Sequence, residues 1–323
     1  MRAVCLLGGG LPSAFLLSAG LLLISARTAT TADSERCRAE LKRPIALEDA
    51  NGLPLVIAQA DGASLKLILD TGAERTVLTS GAVERVGGRA PQIEFRRNLS
   101  GVGGSLPSRE VEFKSFTLGG VELPWRRAMV ASVATPSLLS TVDGVLGSDI
   151  LARFDIDLDL PNHRMSLYEK GTCTPEWAGP GAEIRIGRSA VNGHLFFPVR
   201  LDNRGITATV DTGAQRTTLS VATARAMGIT DAVLAHDPPM QTRGFGAGRL
   251  ASRIHRFDSL AVGKIGLRNP EIVVTELRLR GIDMILGMDF LRSRRLWLSY
   301  AGFRMFLSSD SGGTASRGRS AER

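Results

Sequence analysis

The chain has 323 residues, enough for two domains of ordinary size, and a formal net charge of +8. Its basic residues are scattered rather than gathered into a run, which argues against nucleic acid as a partner. The cysteines and histidines have no metal-ligand spacing, and no Ser or Cys stands in a nucleophile-elbow pattern, so the sequence predicts no metal site and no cofactor.

The N-terminal segment 1–32 has the pattern of a secretory signal peptide. Arg2 supplies a positive charge near its start, an apolar stretch follows at 14–24, and small residues stand at 29–32. The uncharged stretch 3–26 is also long enough to span a bilayer, so an uncleaved anchor in the inner membrane is the alternative. Both interpretations predict an exported body, either periplasmic or secreted, or tethered to the membrane by its N-terminus.

Two cysteines of the body, Cys37 and Cys173, flank its first half. An oxidising compartment would allow them to form a disulfide that closes the ends of that half. Two free thiols are the alternative, and the sequence leaves both open.

The first half of the body follows a polar lead-in at 33–50. Residues 53–69 predict two strands around an Asp-Gly hairpin turn, and the second strand ends at Asp70-Thr71-Gly72. The other predicted elements of this half are, in order, a Ser-capped helix (80–87), a Gly-rich hairpin tip (101–104), further strands (111–131), a strand turning into a short helix (145–151) and a closing hairpin (156–168).

After a predicted linker at 169–186, the same order of elements starts again. Strands over 195–210 lead to Asp211-Thr212-Gly213. The elements that follow are a Ser-capped helix (220–228), a Gly-rich tip (244–248), a strand turning into a helix (285–291) and a closing hairpin (296–307). The tail 308–323 is rich in Ser, Gly and Arg and is predicted to be disordered.

Matching features of the two halves keep a nearly constant spacing. The offset is 141 residues for the Asp-Thr-Gly turns, 143 for the Gly-rich tips and 140 for the glycines before the last short helix. Random similarity does not hold several features in register over a hundred residues. The sequence therefore predicts a duplicated domain, with one copy at 51–168 and the other at 187–307.

Asp70 and Asp211 stand at equivalent strand ends in the two copies. If the copies pack about a two-fold axis, the two carboxylates meet, and they cannot both ionise easily, so they share a proton. One would then act as a base on a bound water and the other as an acid on a carbonyl oxygen. The alternative is that the two Asp-Thr-Gly segments are ordinary hairpin turns.

Three sequence pieces recur in order in both copies: apolar-Asp-Thr-Gly-Ala, the Gly-rich tip and apolar-apolar-Gly. With them the chain resembles the retropepsin-like aspartic proteases, in the exported bacterial form with two tandem domains in one chain. The resemblance covers roughly 50–168 and 190–307. It implies an all-β fold of two barrel-like domains related by a pseudo-two-fold axis, each with one or two short helices. It also implies that Asp70 and Asp211 form the catalytic dyad.

The resemblance implies roles for the residues around the dyad. Thr71 and Thr212 would brace the active-site loops across the interface, and Gly72 and Gly213 would let the backbone approach the carboxylates. The segments 145–147 and 285–287 would pack beneath the loops. The flap and substrate-binding residues would be Gly101, Val102, Gly103, Gly244, Phe245 and Gly246, unless these tips are plain tight turns.

The predicted activity is therefore that of an aspartic endopeptidase, a hydrolase that acts on proteins or peptides in extended conformation. Because one chain carries both aspartates, a monomer would suffice as a pseudodimer. A non-catalytic peptide-binding or scaffold protein on the same fold is the alternative. A membrane-tethered interaction module, in which the two halves merely pair, is a further one.

Overall fold

The computed structural model describes residues 43–90, 96–101, 104–124, 126–131, 141–171, 174–179, 181–189, 194–244, 248–277 and 279–309. The predicted signal segment 1–32, both cysteines of the predicted disulfide and the tail from residue 310 onwards lie outside these ranges. None of the helices within them combines the length and the hydrophobicity needed to cross a bilayer.

The N-terminal half, residues 43–169, consists mainly of strands. They are β1 (Ile45–Ala46), β2 (Glu48–Ala50), β3 (Leu53–Ala60), β4 (Ala63–Leu69), β5 (Val77–Leu78), β6 (Arg96–Gly101), β7 (Gly104–Glu112), β8 (Phe116–Leu118), β9 (Val121–Glu122), β10 (Arg127–Ala131), β11 (Gly144–Leu146), β12 (Phe154–Asp159) and β13 (Arg164–Glu169). Its helices are α1 (Ser80–Val86), α2 (Ser148–Leu151) and a 3-10 turn at Leu160–Asn162.

The C-terminal half, residues 183–307, repeats this order. Its strands are β14 (Glu183–Arg185), β15 (Gly187–Arg188), β16 (Leu195–Leu201), β17 (Arg204–Val210), β18 (Thr218–Ser220), β19 (Pro239–Arg243), β20 (Arg249–Arg256), β21 (Ser259–Val262), β22 (Ile265–Arg268), β23 (Glu271–Thr275), β24 (Met284–Leu286), β25 (Arg295–Ser299) and β26 (Arg304–Leu307). Its helices are α3 (Val221–Ala226), α4 (Asp231–His236) and α5 (Met288–Leu291).

Each half forms one ten-stranded sheet, and the two sheets have the same strand order. In the N-terminal half it is β6-β7-β10-β5-β11-β4-β3-β8-β9, with β2 on β3. In the C-terminal half it is β19-β20-β23-β18-β24-β17-β16-β21-β22, with β15 on β16. The predicted all-β fold of two similar tandem domains is therefore confirmed.

The helices differ from the prediction in two places. Thr79, not Ser80, caps α1, because the Thr79 side chain accepts a hydrogen bond from the Ala82 backbone N–H at 3.2 Å. The C-terminal half has a third helix, α4, which the sequence analysis did not predict. Thr230 caps it by accepting from the Val233 N–H, so Thr-Asp at its start was the overlooked signal.

The two closing hairpins are present, but they pair with each other. A six-stranded sheet, β1-β13-β12-β25-β26-β14, contains strands of both halves. At its centre β12 runs antiparallel to β25, with Asp157 opposite Trp297. Arg295 of β25 donates to both carboxylate oxygens of the buried Asp157, at 2.9 and 2.6 Å. This shared sheet joins the halves, and its outer strands β1 and β14 come from the predicted lead-in and linker.

Candidate active site

Each dyad aspartate stands at the end of a buried central strand. Leu65, Leu67 and Leu69 of β4 are fully buried, so the core fixes the strand that leads to Asp70. The Asp70 N–H donates to a carbonyl of the parallel strand β11 at 3.1 Å, and Asp211 does the same to β24 at 3.0 Å. Both aspartates are therefore held by the sheet as well as by their own loop.

Thr71 and Thr212 lock the two loops together. Each threonine N–H donates to the hydroxyl of the other, at 3.1 Å in both directions. Each hydroxyl also donates to a carbonyl of the opposite half, Thr71 to Val210 at 3.0 Å and Thr212 to Leu69 at 2.6 Å. Both side chains are buried, so these four bonds are shielded from water. These bonds join the two loops across the halves, and the role of the threonines in supporting an active site stays a prediction.

The glycines of the two loops bring the carboxylates together. A Cβ atom at Gly72 would lie 2.5 Å from Cγ of Asp211, and one at Gly213 would lie 2.5 Å from Cγ of Asp70. Each glycine backbone therefore packs against the carboxylate of the opposite half, an approach that a side chain would prevent. Gly72 and Ala73 also donate their N–H groups to Oδ1 of Asp70, at 2.9 and 2.8 Å, and Gly213 donates to Asp211 at 2.8 Å.

The surroundings raise the pKa of both carboxyl groups. Burial raises the pKa of Asp70 well above its usual range, and the negative charge of Asp211 raises it further. The pKa of Asp211 is raised mainly by burial, against the opposing effect of the Gly213 N–H bond. Since the two groups interact directly, they titrate as a pair, and the pair can hold one proton where an isolated carboxyl group is ionised.

A second pair of aspartates supports the loops and was overlooked as a site feature. Oδ1 of Asp149 accepts from the N–H and the hydroxyl of Thr76, at 2.9 and 2.8 Å. Asp289 accepts from Thr217 in the same way, at 2.8 and 2.7 Å. These aspartates recur 140 residues apart, just after the apolar-apolar-Gly segments, and that spacing was the available signal.

The predicted segments 145–147 and 285–287 lie against these loops. The Gly147 N–H donates to the Thr76 hydroxyl at 3.1 Å, and a Cβ at Gly147 would lie 2.5 Å from the carbonyl carbon of Arg75. Gly287 repeats both features, with a hydrogen bond of 3.2 Å to Thr217. In each half the dyad loop is thus in contact with the backbone of the apolar-apolar-Gly segment.

The comparisons with known proteins agree with the duplicated fold. The sequence model of the family described as aspartyl protease matches residues 56–150 and 197–290, one match in each half and together more than half of the chain. The chain belongs to the aspartyl protease family. A search of curated protein sequences gave no match.

Among solved structures, the aspartic proteinase from Irpex lacteus is similar, with a TM-score of 0.51 and 13% sequence identity. The similarity covers 84% of this aspartyl protease family chain and 98% of the fungal one. At this identity the likeness shows the fold alone, which is that of an aspartic proteinase.

The residue after each Ala of the dyad loops distinguishes the two halves of this family member. Glu74 approaches His194 of the C-terminal half, with 3.9 Å between Oε1 and Nε2. At the equivalent position Gln215 donates to the backbone carbonyl of Asn51 in the N-terminal half, at 2.6 Å. Each side chain reaches across to the beginning of the other half, but only the contact between Glu74 and His194 contains titratable groups.

The predicted flaps correspond to two hairpins, β6–β7 and β19–β20. Gly101 ends β6 and pairs with Gly104 of β7, while Gly244 follows β19. The other four predicted flap residues, Val102, Gly103, Phe245 and Gly246, lie outside the described residues. The assignment of all six as flap residues stays a prediction.

Two cavities lie away from the dyad loops. One of about 220 Å³ is lined in part by Glu48, His163 and Arg292, and one of about 290 Å³ by Trp177 and Lys264. Within the described ranges, no three His, Cys, Asp or Glu side chains are grouped so that they could hold a metal ion.

Proposed function

We propose that the protein is an aspartic endopeptidase whose dyad, Asp70 and Asp211, is assembled within one chain. The observation that carries the proposal is the reciprocal packing of Gly72 and Gly213 against the opposite carboxylates. It brings together two carboxyl groups whose pKa values are raised, which suits a pair that shares one proton.

The chemistry needs only this pair and a water molecule. The ionised carboxylate takes a proton from the water, whose oxygen attacks the peptide carbonyl carbon, while the protonated partner donates its proton to the carbonyl oxygen. The carboxyl group that received the water proton then transfers it to the amide nitrogen. The carbon–nitrogen bond breaks as one hydroxyl of the tetrahedral intermediate returns its proton to the partner carboxylate. An acid and an amine leave, and the pair again holds one proton.

The substrate that fits this arrangement is an extended peptide lying between the dyad and the two hairpins. A single copy of the chain suffices, because both aspartates and both bracing threonines belong to it. The N-terminal pattern of 1–32 supports an exported enzyme, periplasmic or secreted, or one tethered through an uncleaved anchor. Because one chain carries the whole dyad, its specific activity should stay constant on dilution, whereas an enzyme that assembles its dyad from two copies would lose activity.

The decisive test uses Asp70→Asn and Asp211→Asn, assayed against the wild-type protein on a random peptide library across pH. Each substitution keeps the acceptor oxygen at Oδ1 but removes the titrating group, so peptidase activity should fall by at least about 1,000-fold. Asp61→Asn, in the hairpin turn between β3 and β4, is the matched control and should leave activity unchanged. Circular dichroism should show that all three variants are folded.

Full activity in either folded dyad variant would refute the assignment. The alternative, a non-catalytic peptide-binding protein, predicts that wild type binds peptides without cleaving any. Nothing in the site favours that alternative, since both aspartates are present and both accept backbone hydrogen bonds.

A further inference from the structure

A small apolar cluster lies apart from the main core in the N-terminal half. It consists of Val77, Leu99, Met129, Ala131 and Val145. Their neighbours along the strands, such as Leu78 and Leu146, belong to the main core. Since successive side chains of a strand point to opposite faces, Val77 and Val145 lie on the face opposite Leu78 and Leu146, and Val145 packs against both the apolar cluster and the main core.

The apolar cluster lies next to the dyad loop of its own half. Val77 directly follows Thr76, the residue that ends the loop, and it pairs with Val145. Leu99 belongs to β6, the first strand of the hairpin predicted as a flap. The cluster is therefore positioned between the dyad loop and this hairpin.

The matching registers of the two sheets identify the equivalent positions in the C-terminal half. Val77 pairs with Met129 as Thr218 pairs with Val273, and the hairpin registers match Leu99 with Thr242. The five equivalent residues are Thr218, Thr242, Val273, Thr275 and Ile285. Three of the five apolar positions are therefore threonines in the second half.

These hydroxyl groups, together with that of Ser252, are here called the hydroxyl cluster: Thr218, Thr242, Ser252 and Thr275. Three of them, Thr242, Ser252 and Thr275, are linked by hydrogen bonds. The hydroxyl oxygens of Thr242 and Ser252 are 2.7 Å apart, and Ser252 donates to Thr275 at 2.9 Å. The Thr218 hydroxyl donates to the Arg216 carbonyl at 3.0 Å. Hydroxyl protons rotate and each oxygen has two lone pairs, so the set retains capacity to bond a further polar group.

We propose that the two halves select different side chains on the two sides of the bond that is cut. The apolar cluster accepts an aliphatic side chain, and the hydroxyl cluster accepts a hydroxyl-bearing or short polar one. The inference rests on the proposed peptidase function. Its physical basis is that a polar group loses its hydrogen bonds with water against an apolar wall, whereas the remaining lone pairs of the hydroxyl cluster can replace those bonds.

The test exchanges the two clusters and profiles cleavage of a peptide library by mass spectrometry. One variant carries Thr218→Val, Thr242→Leu and Thr275→Ala, and the reciprocal variant carries Val77→Thr, Leu99→Thr and Ala131→Thr. Wild type should prefer an aliphatic residue on one side of the cut and a polar one on the other, in a fixed order.

The first exchange variant should favour aliphatic residues at the formerly polar side by about tenfold in kcat/KM and leave the other side unchanged. The reciprocal variant should weaken the aliphatic preference by a similar factor. Thr117→Val, on the remote strand β8, is the control for replacing a threonine and should change neither side.

Equal preferences on both sides in wild type, or no change in the first exchange variant, would overturn the inference. If a triple variant does not fold, the single change Thr242→Leu, at a partly exposed position, carries the same expectation. Binding of peptides with a reduced, uncleavable central amide is measured in parallel. If wild type binds them with the expected side preferences but hydrolyses no peptide, the proposed function fails and this inference stands. Binding without those preferences overturns the inference alone.

Discussion

The two halves of the molecule agree around the carboxylates and differ where a substrate would lie. Both dyad loops have the same glycine packing, threonine bracing and supporting aspartate. The apolar cluster of one half and the hydroxyl cluster of the other instead differ in polarity. Glu74 can titrate, whereas Gln215 at the equivalent position cannot. In the proposed reaction the two carboxylates share one proton and act on the same peptide bond, so we expect their supports to match. The two side chains flanking a peptide bond need not match, so the walls that face them can diverge.

The largest expected effect comes from the shared part. Gly72→Ala and Gly213→Ala would each place a Cβ 2.5 Å from the opposite carboxylate, which must move away. Since small displacements of catalytic groups are costly, kcat/KM should fall by at least about 100-fold in both variants.

Gly205→Ala is the matched control for these substitutions. Gly205 belongs to β17, the strand that leads to Asp211, but a Cβ there would meet no atom within 4 Å. Its activity should equal that of wild type. Normal kcat/KM in either dyad-loop variant would show that the close approach of glycine and carboxylate is not required.

Removal of the bracing hydroxyl should lower the free energy of unfolding equally in the two halves. Thr71→Val and Thr212→Val each remove a buried hydroxyl that accepts from one backbone N–H and donates to one carbonyl. Two buried backbone groups lose their partner, so the free energy of unfolding should fall by about 2–4 kcal/mol in urea titrations. The corresponding Thr→Ser variants keep the hydroxyl and should recover most of the loss. A large difference between the two valine variants would contradict the symmetry of the bracing.

The repeated motif was sufficient to predict the paired aspartates, threonines and glycines of the matched part, because Asp-Thr-Gly-Ala is local and occurs twice, but the supporting Asp149 and Asp289 were overlooked. The contrast between the clusters was not predictable from the sequence. It depends on which residues of β6, β10 and β19 face the dyad loops, and this follows from strand registers between distant segments. The pairing of β12 with β25 was overlooked for the same reason, since the sequence of a hairpin does not specify which further strand pairs with it.

The pH dependence of activity should depend on the residue after each Asp-Thr-Gly turn. Ala73 and Ala214 offer no side-chain donor to the carboxylates, so the shared proton is held more tightly than with Ser. The wild-type activity window is therefore expected at higher pH than that of a variant with Ser at these two positions. In Ala73→Ser, Ala214→Ser it should move toward acid by about one unit, if each added bond is worth about 1 kcal/mol.

Ala63→Ser, at the start of β4, controls for the added hydroxyl and should leave the pH–rate profile in place. A double-variant profile that does not move toward acid would refute this explanation of the pKa, while the dyad assignment would still rest on the asparagine variants.

The smallest effect concerns the titratable contact that only one half has. Burial lowers the pKa of His194 below its ordinary value of 6.5, so the neutral imidazole is favoured in the folded protein. A lowered pKa gives stability that is complete above the unfolded value and is lost as pH falls below about 6.5. His194→Gln copies the neutral contact of the other half and should lose less stability than wild type between about pH 7 and pH 5. His236→Gln, on the exposed face of α4, is the control.

Glu74, at 3.9 Å, opposes the effect of burial whenever it is ionised, although burial raises its own pKa. If the His194→Gln variant instead loses more stability than wild type as pH falls, the Glu74–His194 ion pair outweighs the burial of the imidazole.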